Sequence, residues 1–181
     1  MRFTATHLPG AYIVDLDRHQ DERGFFARAF CRREFAEAGL EIEVAQCSLS
    51  HTRHRGTLRG LHFQAAPYAE DKLIRCVRGR IFDVIVDLRR DSSSFLNHVA
   101  IELTEMNGRA LYVPRGLAHG FQTLEDNSTV FYQMSQFYEP GAGRGVRWND
   151  PTFRIQWPIA TPQLNERDAS YPDFDPEARP E

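Results

Sequence analysis

Two histidines stand in contexts where a side chain could move a proton or hold a metal. His62 lies in GTLRGLHFQ, from Gly56 to Gln64, and His119 lies in PRGLAHGF, from Pro114 to Phe121. The first stretch alternates like a half-buried strand. Strict alternation puts Leu58, Gly60, His62 and Gln64 on one face and Thr57, Arg59, Leu61 and Phe63 on the other. Three chemistries are open to His62: a hydrogen-bonded core residue, a metal ligand, or a base that is neutral near pH 7 and takes a proton. Arg59 is suited to phosphate, because a guanidinium can grip it through two parallel hydrogen bonds.

The elements that must position these residues read mostly as short strands broken by turns. AYIVDL, from Ala11 to Leu16, is the expected first strand, and FFARAF, from Phe25 to Phe30, follows the turn-like DERG. Cys31 to Leu40 is the one clear helix candidate, with Gly39 as a natural stop. Further strands are expected in EVAQCSLS, TLRGLHFQ, KLIRCVRG, RIFDVIVDL, HVAIEL, RALYV, AHGFQTL and TVFYQMSQFY, and KLIRCVRG with RIFDVIVDL looks like a hairpin joined near Gly79. Such a series with a single short helix implies a sandwich or barrel. The acidic, proline-rich end YPDFDPEARPE, residues 171–181, is expected to be irregular and partly mobile.

A length of 181 residues suits one domain, 1–181, able to bury a core without disulfides or metals. Apolar residues make up 41% and charged residues 26%, as in a soluble globular protein. A net charge of −3 supplies no bulk field for nucleic acid. Cys31, Cys47 and Cys76 form neither a C-x-x-C pair nor a disulfide framework, which favours a reducing cytoplasm. MRFTATHLPG lacks the apolar core of a signal peptide, and no apolar run approaches the ~20 residues of a membrane helix.

Gly56 and His62 form G-x5-H, and Gly108, Pro114, Gly116 and His119 form G-x5-P-x-G-x2-H. Together they resemble the two motif halves of the cupin superfamily, a double-stranded β-helix or jelly-roll barrel with a central pocket. Metal-binding cupins carry H-x-H in the first half and a glutamate shortly after. Here those places hold Gln64 and Lys72. A neutral amide is a poor substitute for imidazole and an ammonium repels a divalent ion, so no metal is expected. The resemblance narrows along the chain. D-x-R-G-x-F (Asp21, Arg23, Gly24, Phe26), LRGLHFQ, KL, GRIFDVIVDLR, PRGLAHGF, FYQMSQFY, RWNDPTFRIQWP and Asn165 to Asp168 occur in order. This series, from about residue 2 to about residue 170, resembles the dTDP-4-dehydrorhamnose 3,5-epimerase family of nucleotide-sugar epimerases.

That resemblance implies an isomerase that needs no cofactor and inverts carbons next to the C4 ketone of a nucleotide-linked 4-keto-6-deoxyhexose, through an enolate. It implies His62 as base, Asp168 as its partner, Lys72 at the enolate oxygen and Tyr132 as the acid on the opposite face, chosen over Tyr138 as the first tyrosine of the strand motif. It places Arg59, His119, Gln46, Ser48 and Tyr138 against the substrate. It assigns Arg23, Phe26 and Arg28 to a segment that enters a neighbouring subunit's pocket, giving a homodimer with exchanged N-terminal strands. Taken alone, each has a plainer reading: a helix cap or surface acid for Asp168, a solvated strand end for Lys72, a core or rim tyrosine, a turn arginine for Arg23.

Three departures bear on specificity. The family's R-G-x-F-x-E ends here in Arg28, which can only donate where a carboxylate would accept thymine N3–H, and this hints at a CDP-sugar. Q-x-N becomes Gln46-Cys47-Ser48, and the lysine that follows the tyrosine is Gln133. These leave room for a relative that acts at C3 or C5 alone. The rival readings are a non-catalytic sugar-nucleotide-binding cupin, a metal-dependent cupin and a 3,4-ketoisomerase.

Overall fold

The computed structural model describes residues 1–40 and 42–176. Strands β1 (Arg2–Ala5), β2 (Tyr12–Asp15), β5 (Gln46–Thr52), β7 (Lys72–Arg78), β10 (Ala110–Val113) and β12 (Ser128–Met134) form a six-stranded sheet in the order β1-β2-β10-β7-β12-β5. Strands β6 (Leu58–Gln64), β8 (Arg80–Asp87), β9 (His98–Thr104), β11 (Leu117–Thr123) and β13 (Gly143–Gly145) form the facing sheet, ordered β13-β6-β11-β8-β9. From β5 to β8, and again from β9 to β13, the chain changes sheet at every step. That alternation is the double-stranded β-helix expected from the two motif halves. A separate hairpin pairs β3 (Arg18–Asp21) with β4 (Gly24–Ala27) around the expected DERG turn.

Two sequence expectations change. The first strand is β1, ahead of β2, and the two pair antiparallel from Arg2↔Asp15 to Ala5↔Tyr12. Strands β7 and β8 are not a hairpin: β7 pairs with β10 and β12, and β8 with β9 and β11. Gly79, at φ +74°, turns the chain from one sheet to the other, and a Cβ there would lie 2.6 Å from Ser128 Oγ. A tight glycine link between two apolar runs reads the same in sequence whether it closes a hairpin or turns a barrel corner.

Three apolar layers follow from the two sheets. Ile74, Ile81, Ile85, Leu103, Leu111, Phe121 and Val130 fill one end of the barrel interior. Helix α1 (Arg32–Glu37) drives Phe35 against Val14, Leu73 and Tyr112 on the outer face of the six-stranded sheet. Residues 146–176 form a strap over the outer face of the other sheet, where Val146 and Phe153 meet Leu61, Val84, Val86 and Ala118. The amide of Gln122 fixes the strap, donating to Ile159 O at 2.9 Å and accepting from Ile159 N at 3.0 Å. Trp148 and Trp157 sit together on it, ring centres 6.5 Å apart.

The strap ends in helix α2 (Glu166–Ser170), capped by Asn165, whose side chain accepts from Asp168 N at 2.7 Å. Beyond it, residues 171–176 carry no regular element and are docked rather than loose. Phe174 packs on Phe153 at 5.4 Å and Asp173 pairs with Arg147 at 2.8 Å. The rest of the expected tail, 177–181, lies outside the described residues.

Candidate active site

The open end of the barrel holds a cavity of about 330 Å³. Strict alternation in β6 would send Arg59 and His62 to opposite faces, and this expectation is corrected by a register slip. His62 pairs with His119, but Arg59 pairs with Phe121, so β6 carries an extra residue at Gly60–Leu61. Arg59, His62 and Gln64 therefore all line the cavity, while Leu61 joins the apolar layer beneath the strap. The two backbones touch here. A Cβ on Gly60 would lie 2.5 Å from Gly120 Cα, and one on Gly120 would lie 2.8 Å from Arg59 O. Only a glycine pair permits this approach.

His62 Nε2–H donates to Asp168 Oδ1 at 2.6 Å. The second oxygen of Asp168 accepts Gly60 N–H at 3.1 Å, and the carboxylate is 1% exposed. Asp168 is thus neither the helix cap nor a surface acid. With Nε2 held as donor, Nδ1 keeps the lone pair that a base needs. The His62 side chain remains 39% exposed, with the Tyr171 ring edge-on at 6.2 Å.

A second pair lies beside the first. His119 Nε2 donates to Asp83 Oδ1 at 2.7 Å, with the two side chains 6% and 0% exposed. Burial pushes the Asp83 carboxyl above its ordinary range, against the pull of His119 and Lys72. Its Oδ2 has no hydrogen-bond partner. The sequence reading missed Asp83, although an aspartate amid the apolar run RIFDVIVDL was a signal, since such a carboxylate must be buried with a partner.

The facing sheet supplies Tyr132 and Lys72. The Tyr132 ring stands 6.0 Å from His119. Burial first, and Asp83 second, raise its hydroxyl well above the usual phenol range, outweighing Arg59 and a hydrogen bond with Ser50. Lys72 Nζ reaches Glu70 Oε1 at 2.9 Å and donates to His62 O at 3.4 Å.

Of the expected substrate contacts, Arg59, His119, Ser48 and Tyr138 line the same cavity. Arg59 Nε donates to Thr52 Oγ1 at 3.1 Å. Gln46 stands behind this wall and accepts Tyr138 N–H at 2.9 Å, supporting the rim. Arg23, Phe26 and Arg28 do not meet their own chain's cavity. Arg23 pairs with Asp21, Phe26 is 72% exposed, and Arg28 Nη1 donates to Glu34 Oε1 at 2.7 Å. Gln64, read as standing in a metal-ligand position, anchors a loop: its amide donates to Tyr68 O and Phe137 O and accepts from Glu139 N at 2.7 Å. Among the described residues, no group of three or more His, Cys, Asp or Glu side chains is placed to hold a metal. Beyond Asp83, the sequence reading also missed Glu70 and Arg167, which line the cavity.

A histidine–carboxylate pair on one wall and a lysine with a half-buried tyrosine on the other suit one class, a barrel enzyme that handles a carbon acid between two proton-transfer groups. The family model for dTDP-4-dehydrorhamnose 3,5-epimerase matches residues 5–176, and the chain belongs to that family of isomerases acting on nucleotide sugars. It is 39% identical over 175 residues to a Shigella flexneri dTDP-4-dehydrorhamnose 3,5-epimerase, covering 96% of each chain. The Bacillus anthracis enzyme of the same name, solved with TDP and PPi bound, superposes with a TM-score of 0.93 at 36% identity, over 96% of this chain and 99% of that one. A 3'-monoepimerase from Streptomyces bikiniensis, in complex with dTDP-quinovose, superposes with a TM-score of 0.87 at 33% identity, over 93% and 85%.

Proposed function

We propose that the protein converts dTDP-4-dehydro-6-deoxyglucose to dTDP-4-dehydrorhamnose, with His62 as base and Tyr132 as acid. The observation that carries this reading is the 2.6 Å His62–Asp168 bond on one wall of a cavity whose other wall bears Tyr132. Nδ1 of His62 takes the proton from C3 or C5. The electrons of that C–H bond move onto the C4 oxygen, and the Lys72 ammonium stabilises the enolate charge. Asp168 balances the imidazolium. As the enolate collapses, the Tyr132 hydroxyl gives its proton to the opposite face of the carbon, and both groups then re-equilibrate with solvent. Its raised pKa keeps Tyr132 a loaded donor across the neutral range.

Arg59 and Arg167 supply positive charge for the diphosphate, with His119, Ser48 and Tyr138 beside the sugar. Arg23, Phe26 and Arg28 act in a partner's pocket in a homodimer with exchanged N-terminal strands. Support comes from the exposed Phe25 and Phe26 on a hairpin that makes no contact with its own cavity. The reaction needs no cofactor and belongs in the cytoplasm, and no described helix is long and apolar enough to cross a membrane.

A second reading, inversion at C3 alone, is favoured by the likeness to the 3'-monoepimerase. NMR in D2O decides between them. Wild-type protein should wash out the C3 and C5 protons of dTDP-4-keto-6-deoxyglucose, and His62→Ala should not. Washout at C3 alone establishes the second reading. Washout only from the CDP-sugar assigns Arg28 to the base, and none from either sugar leaves a binding protein.

A further inference from the structure

Lys72 is the only lysine in the chain; every other basic side chain apart from histidine is arginine. An ammonium offers three N–H donors that can turn, and arginine offers a rigid fork. In this site two of the three are engaged, by Glu70 Oε1 at 2.9 Å and by His62 O at 3.4 Å. The third is left for the cavity. Both partners of the ion pair are nearly closed from solvent, at 12% for Lys72 and 6% for Glu70.

We propose that Glu70 is a positioning residue that pairs with the Lys72 ammonium and aims it at the substrate's ketone oxygen; this rests on the enolate role given to Lys72 above. Glu70 has no other evident task. Its Oε2 is buried with no hydrogen-bond partner. The adjacent Asp71 differs: its carboxylate accepts from Arg115 N, Arg115 Nη2 and the Ser135 hydroxyl, and so stitches loops together. Nature of environment and partner count thus separate a structural acid from one directed at a single cation. The other charged or titratable groups around Lys72 are Arg59, His62, His119, Tyr132, Tyr138, Arg144, Arg167 and Asp168, which line the same cavity, and Asp83 on β8. Asp83 serves His119 and Asp168 serves His62, which leaves Glu70 as the carboxylate that offsets the desolvation of the ammonium.

The single lysine makes the test direct. Protein labelled with isotopic lysine gives one side-chain signal, whose pH titration reads Lys72 without reference to turnover. In Glu70→Gln the titration midpoint should fall by at least about one pH unit. The alkaline limb of kcat/KM for solvent exchange should fall with it, and Glu70→Asp should recover part of both. A midpoint that stays within a few tenths of a unit overturns the proposal. A midpoint that falls while the rate profile stays in place shows that Glu70 governs the charge but turnover does not use it. That result overturns the enolate role of Lys72, and with it the positioning claim. Wild-type protein that titrates normally but exchanges no substrate proton sinks the functional reading separately.

Discussion

The molecule holds two histidine–aspartate pairs of nearly equal length, 2.6 Å at His62–Asp168 and 2.7 Å at His119–Asp83. They differ in everything around that bond. Asp168 arrives from the far end of the chain on α2, and its second oxygen is satisfied by Gly60 N–H. Asp83 sits on an adjoining strand, and its second oxygen has no partner. His62 is open to the cavity and His119 is shut from solvent. A pair that must take up and release protons needs a fully solvated-in-kind carboxylate and an exposed ring. A pair with a desolvated acid and a buried ring is a fixed polar wall. The contrast supports the proposed reading, in which the first pair turns over and the second packs and orients.

The sharpest way to break that contrast is His62→Ala. Loss of the base should cost roughly 10³-fold in proton exchange, while the melting temperature barely moves because the ring is half open. A large fall in stability with activity retained would reverse the assignment. Tyr132→Phe tests the opposite wall: net inversion should fall by roughly 10²-fold, while washout into D2O through His62 persists. The inverted and retained products are separable by NMR.

His119→Ala should show the converse of His62→Ala. It leaves Asp83 buried without its hydrogen-bond donor, at a cost of about 3 kcal/mol in urea unfolding. Adding Asp83→Asn should return part of that loss. A stable His119→Ala protein would mean that Asp83 is already protonated in the fold.

The smallest effect sharpens the rule about carboxylate satisfaction. Asp87, four positions beyond Asp83 on β8, is equally buried. Burial pushes its carboxyl up, but hydrogen bonds from Arg89, Ser92 and Ser94 outweigh this and hold it at about 2. Its folded pKa is depressed, so its contribution is present above the unfolded value and is lost as pH falls through the folded one. Acid unfolding between about pH 4 and pH 2 should therefore lose about 2 kcal/mol that Asp87→Asn does not lose over the same range.

Most of the site was legible because its residues sit in ordered motifs. PRGLAHGF, KL and FYQMSQFY placed His119, Lys72 and Tyr132 in one cavity, and NERD placed Asp168 against His62 across a separation that local patterns never reveal. What stayed hidden has physical causes. Alternation cannot see a bulge, so it sends Arg59 to the wrong face, and only the β6–β11 register corrects this. A glycine corner resembles a glycine hairpin, so β7 and β8 were paired wrongly. Asp83 is marked by the apolar run around it, but neither its partner nor that of Glu70 can be read from a row of letters. Their meaning lies in which oxygen has a partner, and that is a property of packing.

The strap that delivers Asp168 also carries both tryptophans of the chain, Trp148 and Trp157. The barrel interior has none, so tryptophan emission, excited selectively over that of the tyrosines, is an optical gauge of the strap alone. A melt followed by fluorescence reports the seating of the segment that holds the His62 partner, and a melt followed by circular dichroism reports the sheets. Any gap between the two curves measures how far the His62–Asp168 pairing can come apart while the barrel still stands.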